Sequence, residues 1–212
     1  MYVKWHPPAR DTIKPNIDRA AKTTTSTNGI GGIFRSTSGQ CLMGFMGARS
    51  SGNSTCMELN TLLQGLQLAK LHQLTPLEVN VDSTVVIMIL NNDNLHYSSS
   101  LVECRYLLQQ LGNPSITHTY REQNYTAHYL AQYGSSTNAQ VNATIFTQPP
   151  DFLLPQLVDD QKGTAYQRLV KSTCTTDLSY NPTLVAYDHS IDPLFDYNSC
   201  NTMQLAPCNV TV

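Results

Sequence analysis

A chain of 212 residues with 41% hydrophobic side chains is long enough for one domain with a real core plus an extension, and short for two. Charged residues make up only 13%, about half the usual share, and the net charge is −2, which excludes a broad basic footprint for a polyanion and leaves room only for a local patch. With no secretory leader pattern and no apolar run near membrane-spanning length, the chain reads as a soluble intracellular protein of nucleus or cytoplasm, not membrane-bound and not secreted.

The elements follow in chain order. Trp5-His6-Pro7-Pro8 rules out helix, because the prolines withhold donors, so residues 1–11 read as a leading linker. A strand is expected from Thr12 to Asp18, with Asp18 at its end, and Thr23 to Gly29 as a flexible turn. Ile30 to Arg35 and Cys41 to Met46 flank Ser36-Thr37-Ser38-Gly39-Gln40, the pattern of a hairpin. Leu59, Leu62, Leu63 and Leu66 recur at helical period and predict an amphipathic helix over Thr55 to Leu71, with Thr55 as cap and Glu58 at capping-box spacing.

Leu77 to Asp82 alternates as a strand, Ser83 is placed to cap a short apolar helix through Leu90, and a further helix is expected from Leu101 to Leu111. Ile116, His118 and Tyr120 alternate on a fifth strand, and Asn124 is expected to cap a helix whose inner face carries Ala127, Leu130 and Ala131. A hairpin trio followed by strand and helix in alternation implies an α/β fold with a mixed sheet flanked by helices, over residues 12–134. Gly134 to Thr137 reads as a linker, 135–171 as linker and tail, and 172–212 as a poorly ordered extension rich in Asn, Asp, Thr, Tyr and Pro.

Six cysteines, at 41, 56, 104, 174, 200 and 208, lack zinc-site spacing and read as reduced, mostly buried thiols. The sequons at Asn53, Asn124, Asn142 and Asn209 carry no meaning in an intracellular protein.

In so charge-poor a chain, Asp18, Glu58 and Asp82 stand out: carboxylates at two strand ends and in a first helical turn can converge on divalent cations, which favour hard oxygen donors. The plainer reading of Glu58 is a cap for its own helix.

These acids, with Trp5-His6-Pro7-Pro8, Lys14-Pro15-Asn16-Ile17-Asp18, Gly29-Ile30-Gly31-Gly32-Ile33-Phe34-Arg35, Glu58-Leu59, Val81-Asp82-Ser83 and His118-Thr119-Tyr120-Arg121-Glu122-Gln123-Asn124, make the chain resemble the ribonuclease H-like domains of plants. Such domains occur alone or at the end of non-LTR retrotransposon reverse transcriptases. The resemblance runs from about Trp5 to Tyr133, with a weaker echo in Phe146 to Val170. It implies a five-stranded mixed sheet, endonucleolytic hydrolysis of the RNA strand of an RNA–DNA hybrid, and two Mg2+ ions, or alternatively Mn2+, as cofactor, with Asp18 bridging both and Glu58, Asp82 and His128 as the other ligands. Asp18, Glu58 and Asp82 fall on the family's first three carboxylates, and His118 on its mobile histidine. The position of the fourth acid is His128, an imidazole that suits softer metals and in a first helical turn favours its neutral form. Arg19 stands where the family has glycine and Met57 where it has alanine.

Arg121 and Glu122 read either as a surface pair or as shaping the loop before the last helix. Asn16, Ser83, Arg121 and Asn124 are the candidates for contact with nucleic acid, although turn and capping roles suit Asn16 and Ser83 as well. Two functions remain open at this point: a metal-dependent, monomeric hybrid nuclease, or a catalytically degenerate domain that only binds nucleic acid weakly. The chain also reads as a piece of a longer ancestor.

Overall fold

In the computed structural model, residues 1–21, 27–50, 52–92, 97–136 and 143–169 are described, and Met1–Val170 form one unit. The elements are β1 (Tyr2–Val3), β2 (Lys14–Ala21), β3 (Thr27–Arg35), β4 (Cys41–Ser50), α1 (Ser54–Leu71), β5 (Glu78–Val81), α2 (Thr84–Asn91), α3 (Ser98–Gln110), β6 (Ser115–His118), α4 (Tyr125–Gly134), β7 (Thr144–Phe146), α5 (Leu154–Lys162) and β8 (Tyr166–Gln167). The main sheet has the order β6-β5-β2-β3-β4-β7, with β2, β5 and β6 mutually parallel and the remaining pairs antiparallel. It is therefore mixed, as the element order implies, but it has six strands rather than five. The extra strand is β7, three residues long and shortly followed by Pro149-Pro150, too short to carry a readable alternation.

Strand alternation divides the core between the two faces. Ile30 and Phe34 of β3 face the α1–α3 side, where Phe45, Leu59, Leu62, Leu66, Val79 and Leu101 complete a fully buried cluster. Ile33 faces the other side and packs with Leu130 of α4 and Leu153 and Leu157 around α5. Gly29 and Gly31 allow α4 to lie directly on β3: a Cβ on Gly31 would fall on the backbone of Ala127, Leu130 and Ala131. Gly31→Ala is accordingly expected to destabilise the domain by about 2 kcal/mol, since backbone cannot swing aside as a side chain can. Urea unfolding measures this, and an unchanged midpoint would mean that α4 can retreat from the sheet without loss.

Several expectations need correcting. The strand carrying Asp18 does not stop there but continues to Ala21. The turn expected over Thr23 to Gly29 lies largely outside the described residues, and β3 already begins at Thr27. Helix α1 is capped by Asn53, whose Oδ1 accepts from the Cys56 amide, so neither Thr55 nor Glu58 serves as cap. Ser83 does cap α2, its hydroxyl accepting from the Val86 amide.

The leading segment is no free linker: β1 pairs with β8, Trp5 is buried, and buried Lys14 donates to the His6 carbonyl while pairing with Glu78 at 2.7 Å. Of the three cysteines described, all free thiols, only Cys104 is fully buried, whereas Cys41 and Cys56 are half-buried. Cys174, Cys200, Cys208, part of the 135–171 tail and the whole of 172–212 lie outside the described residues. Among the described residues no helix is long and apolar enough to cross a membrane.

Candidate active site

Register brings the first and third acids together. The parallel pairing of β2 with β5 sets Ile17 opposite Val81, so the residues that follow, Asp18 and Asp82, emerge side by side where β5 ends. On β2 the side chains alternate. Asn16 and Asp18 turn to the α4 face, where His128 Nδ1 lies 2.7 Å from Asp18 Oδ2, and Arg19 turns to the α1 face. There its Nε donates to Glu58 Oε1 at 3.1 Å and its Nη2 to the hydroxyl of Ser54. Asp18, Arg19, Glu58, Asp82 and Ser83 thus line one cleft, floored by Ile17, Val81 and Val86. All three sequence-predicted acids meet in this cleft.

Burial dominates its electrostatics. Asp18 is 4% exposed, and loss of hydration pushes its carboxyl up to about 7, with Glu58 adding to the shift while a hydrogen bond from Asp82, the Arg121 charge and the Arg19 amide oppose it. Asp82 is raised well above the usual carboxylate range by burial first, then by Asp18 and Glu58, and it donates the hydrogen bond to Asp18. Both carboxyls are thus held above the usual carboxylate range, and the pair titrates as a unit. His128 is lowered by burial and by Arg121, so its contact with Asp18 is a hydrogen bond of neutral imidazole rather than an ion pair.

Whether these groups suit a divalent cation divides in two. Asp18 and Asp82 are hard oxygen donors whose mutual repulsion a cation would relieve, and Glu58 Oε2 is buried in the same cleft without a hydrogen-bond partner. In donor chemistry that set suits one cation. A second, between Asp18 and His128, would have to displace the hydrogen bond between them and accept an imidazole in place of a hard oxygen donor, which suits Mg2+ poorly. The three carboxylates offer the donor chemistry for a cation but are not drawn together as a site: Arg19 holds the other Glu58 oxygen, and among the described residues no three His, Cys, Asp or Glu groups converge as a metal cluster.

The residues expected to touch nucleic acid separate sharply. Asn16 and Asn124 are buried, at 1% and 0% exposure, and bond to each other and to the Ile17 carbonyl, so neither reaches a backbone phosphate. Asn124 occupies the cap position of α4 but makes no side-chain cap bond, its amide being turned to β2 instead. Ser83 combines capping with a place in the cleft wall. Arg121 and Glu122 do not pair: Glu122 takes Arg168 at 3.0 Å, and Arg121 stays exposed while its charge acts on Asp18 and Asp82. His118 pairs in register with Val81 and meets Tyr120 edge to face at 5.4 Å, beside the cleft rather than in its wall. Ser54, which steadies Arg19, was not legible beforehand: a serine at a helix start reads as helix punctuation.

Comparison with known proteins agrees with this architecture. A protein of Arabidopsis thaliana named for ribonuclease H is 28% identical over 172 residues, 80% of this chain and only 27% of that relative. The N-terminal RNase H domain of a Mycobacterium tuberculosis protein superposes with a TM-score of 0.55 at 19% identity, covering 61% of this chain and 96% of that one. The LC11 RNase H1, solved with an RNA/DNA hybrid, gives 0.51 at 16% identity, covering 58% and 95%. A family model described as reverse transcriptase-like matches residues 16–134, the stretch that carries Asp18, Glu58, Asp82 and His128. With more than half its length matched and the ribonuclease H sheet order around that cleft, the chain belongs to the reverse transcriptase-like family.

Proposed function

We propose that this domain binds RNA–DNA hybrid across the Asp18 cleft and hydrolyses the RNA strand, using one tightly held divalent cation, Mn2+ in preference to Mg2+. The observation that carries the reading is the side-by-side placement of Asp18 and Asp82 at the end of β5, with the partnerless Glu58 Oε2 in the same cleft. The ribonuclease H name of the Arabidopsis relative and the hybrid bound by the LC11 enzyme support it.

Asp18, Asp82 and Glu58 would hold the cation, which supplies Lewis acidity for the attacking water and the leaving oxygen. Asp18 and Asp82 would have to be ionised to hold it, Ser83 walls the cleft, and the exposed Arg121 guanidinium offers a phosphate contact beside it. His118, at the end of β6 beside the cleft, would serve on this reading in proton transfer.

A second reading rests on Arg19: its pairing with Glu58 puts a permanent positive charge where a cation would sit, as in a degenerate domain that binds without cutting. Cleavage of a labelled hybrid decides between them. Cutting of the RNA strand is expected with Mn2+, with turnover in Mg2+ lower by roughly tenfold or more, because a site short of one carboxylate favours the metal that binds the more tightly. Hybrid bound but uncut in both metals would establish the second reading.

A further inference from the structure

Behind the cleft lies a buried polar network that the proposed chemistry does not use. The Arg35 and Asp160 side chains are 0% and 2% exposed. Arg35 Nη1 donates to Asp160 Oδ2 at 2.5 Å, Nη2 donates to Asn16 Oδ1 at 2.7 Å, and the guanidinium stacks on the Trp5 ring at 3.8 Å. Trp5 Nε1 donates to the same Asn16 oxygen at 3.1 Å. The Asn16 amide then donates to Asn124 Oδ1 at 2.9 Å, and the Asn124 amide to the Ile17 carbonyl at 2.9 Å. From α5, Gln156 supports the other Asp160 oxygen at 2.8 Å.

Two members of this chain of bonds, Asn16 and Asn124, adjoin the site. Asn16 precedes Asp18 by one strand period on the same face of β2, and Asn124 begins the helix whose first turn presents His128, its carbonyl accepting from the His128 amide at 3.0 Å. Trp5 and Asp160 come from outside the 16–134 stretch that defines the family. We infer that Arg35 and Asp160 are positioning residues for the cleft: by clamping Asn16, and through it Asn124, they set the spacing of β2 against α4 and hence of Asp18 against His128. The flanking segments are on this account a working part of the site, which deepens the functional reading above and rests on it for the cation.

A network this buried is also structural, so the test must separate geometry from stability. Arg35→Met with Asp160→Leu removes both charges at similar volume, a change that buried ion pairs commonly tolerate without loss of stability. Leu157→Ala, on the same helix and outside the network, serves as the destabilised control. Two quantities are read at a temperature where every variant is folded: the ring nitrogen resonances of His128 in the metal-free protein, and Mn2+ affinity from water proton relaxation. The charge-free pair is expected to displace the His128 resonances and weaken Mn2+ binding about tenfold, within the range seen when supports of ligands are removed. Leu157→Ala is expected to lower the thermal midpoint and leave both readouts alone.

A folded Arg35→Met, Asp160→Leu protein with His128 resonances at their wild-type positions would overturn the inference. If that variant does not fold, Trp5→Phe keeps the ring and removes only the donor to Asn16; a smaller displacement in the same direction is expected, and none overturns the inference equally. Wild-type protein that binds no Mn2+ would sink the functional reading, while the metal-free resonances would still decide the positioning role.

Discussion

Asp18→Asn is expected to abolish hybrid cleavage while making the metal-free protein more stable above neutral pH. Asp18 adjoins both Asp82 and the Glu58 side of the cleft, so losing its charge removes the central ligand, and a fall of at least on the order of 10²–10³-fold is expected from the loss of one preorganised electrostatic group. The gain in stability has the same origin. The folded-state value of about 7 exceeds the ordinary 3.8, so between these the native chain holds a proton that the unfolded chain has released. That stability is fully present below about pH 4 and is lost as pH rises to about 7, after which folding must bury the charge.

Asparagine never carries the charge. Thermal melts at pH 8 should therefore favour the variant by up to about 4 kcal/mol, and the difference should vanish by pH 4. Mn2+ should raise the midpoint of the wild type at pH 8 far more than that of the variant, because it binds only where the carboxylate is. A variant that cuts as the wild type does, or that is less stable at pH 8, would remove Asp18 from the centre of the site.

The second large effect is a gain. Arg19→Gly combined with His128→Asp withdraws the guanidinium from Glu58 Oε1 and replaces the imidazole on Asp18 by a fourth carboxylate. Mg2+-dependent cleavage is expected to rise by roughly ten- to a hundredfold, since Mg2+ demands oxygen donors and the first change frees a Glu58 oxygen while the second adds a carboxylate. The metal-free double variant should be less stable at neutral pH, with Glu58 unpaired and one more acid beside Asp18, and Mg2+ should restore it. Calorimetry with and without Mg2+, run beside the cleavage assay, reads both effects. A folded double variant that takes up Mg2+ and still does not cut would place the deficit away from these two positions.

How much of this could be read in the sequence depended on the range of the interaction. The leucines of α1, the Ser36 to Gln40 hairpin and the alternation before Asp82 are local patterns, repeated within one element, and they located the helix, the turn and the strand within a few residues. Glu58 was visible as an acid at a helix start but ambiguous, because a cap and a ligand use the same spacing; only the Asn53 cap and the Arg19 contact distinguish them. Asn16 and Asn124 were misjudged for the opposite reason. They are polar residues beside a site, and nothing in one chain order tells an exposed amide from one that bonds another 108 positions away.

By itself, then, the sequence determined the α/β order of elements, the three acids and the departures at Arg19 and His128, since residue type and short period require no partner. Tertiary structure alone decided which faces those residues share: the parallel register that sets Asp18 beside Asp82, the turn of Arg19 toward Glu58, the short edge strand β7, and the clamp of Arg35 between Asn16 and Asp160. Each of these is a pairing between distant segments, settled by burial and hydrogen-bond satisfaction across the whole domain rather than by any local pattern.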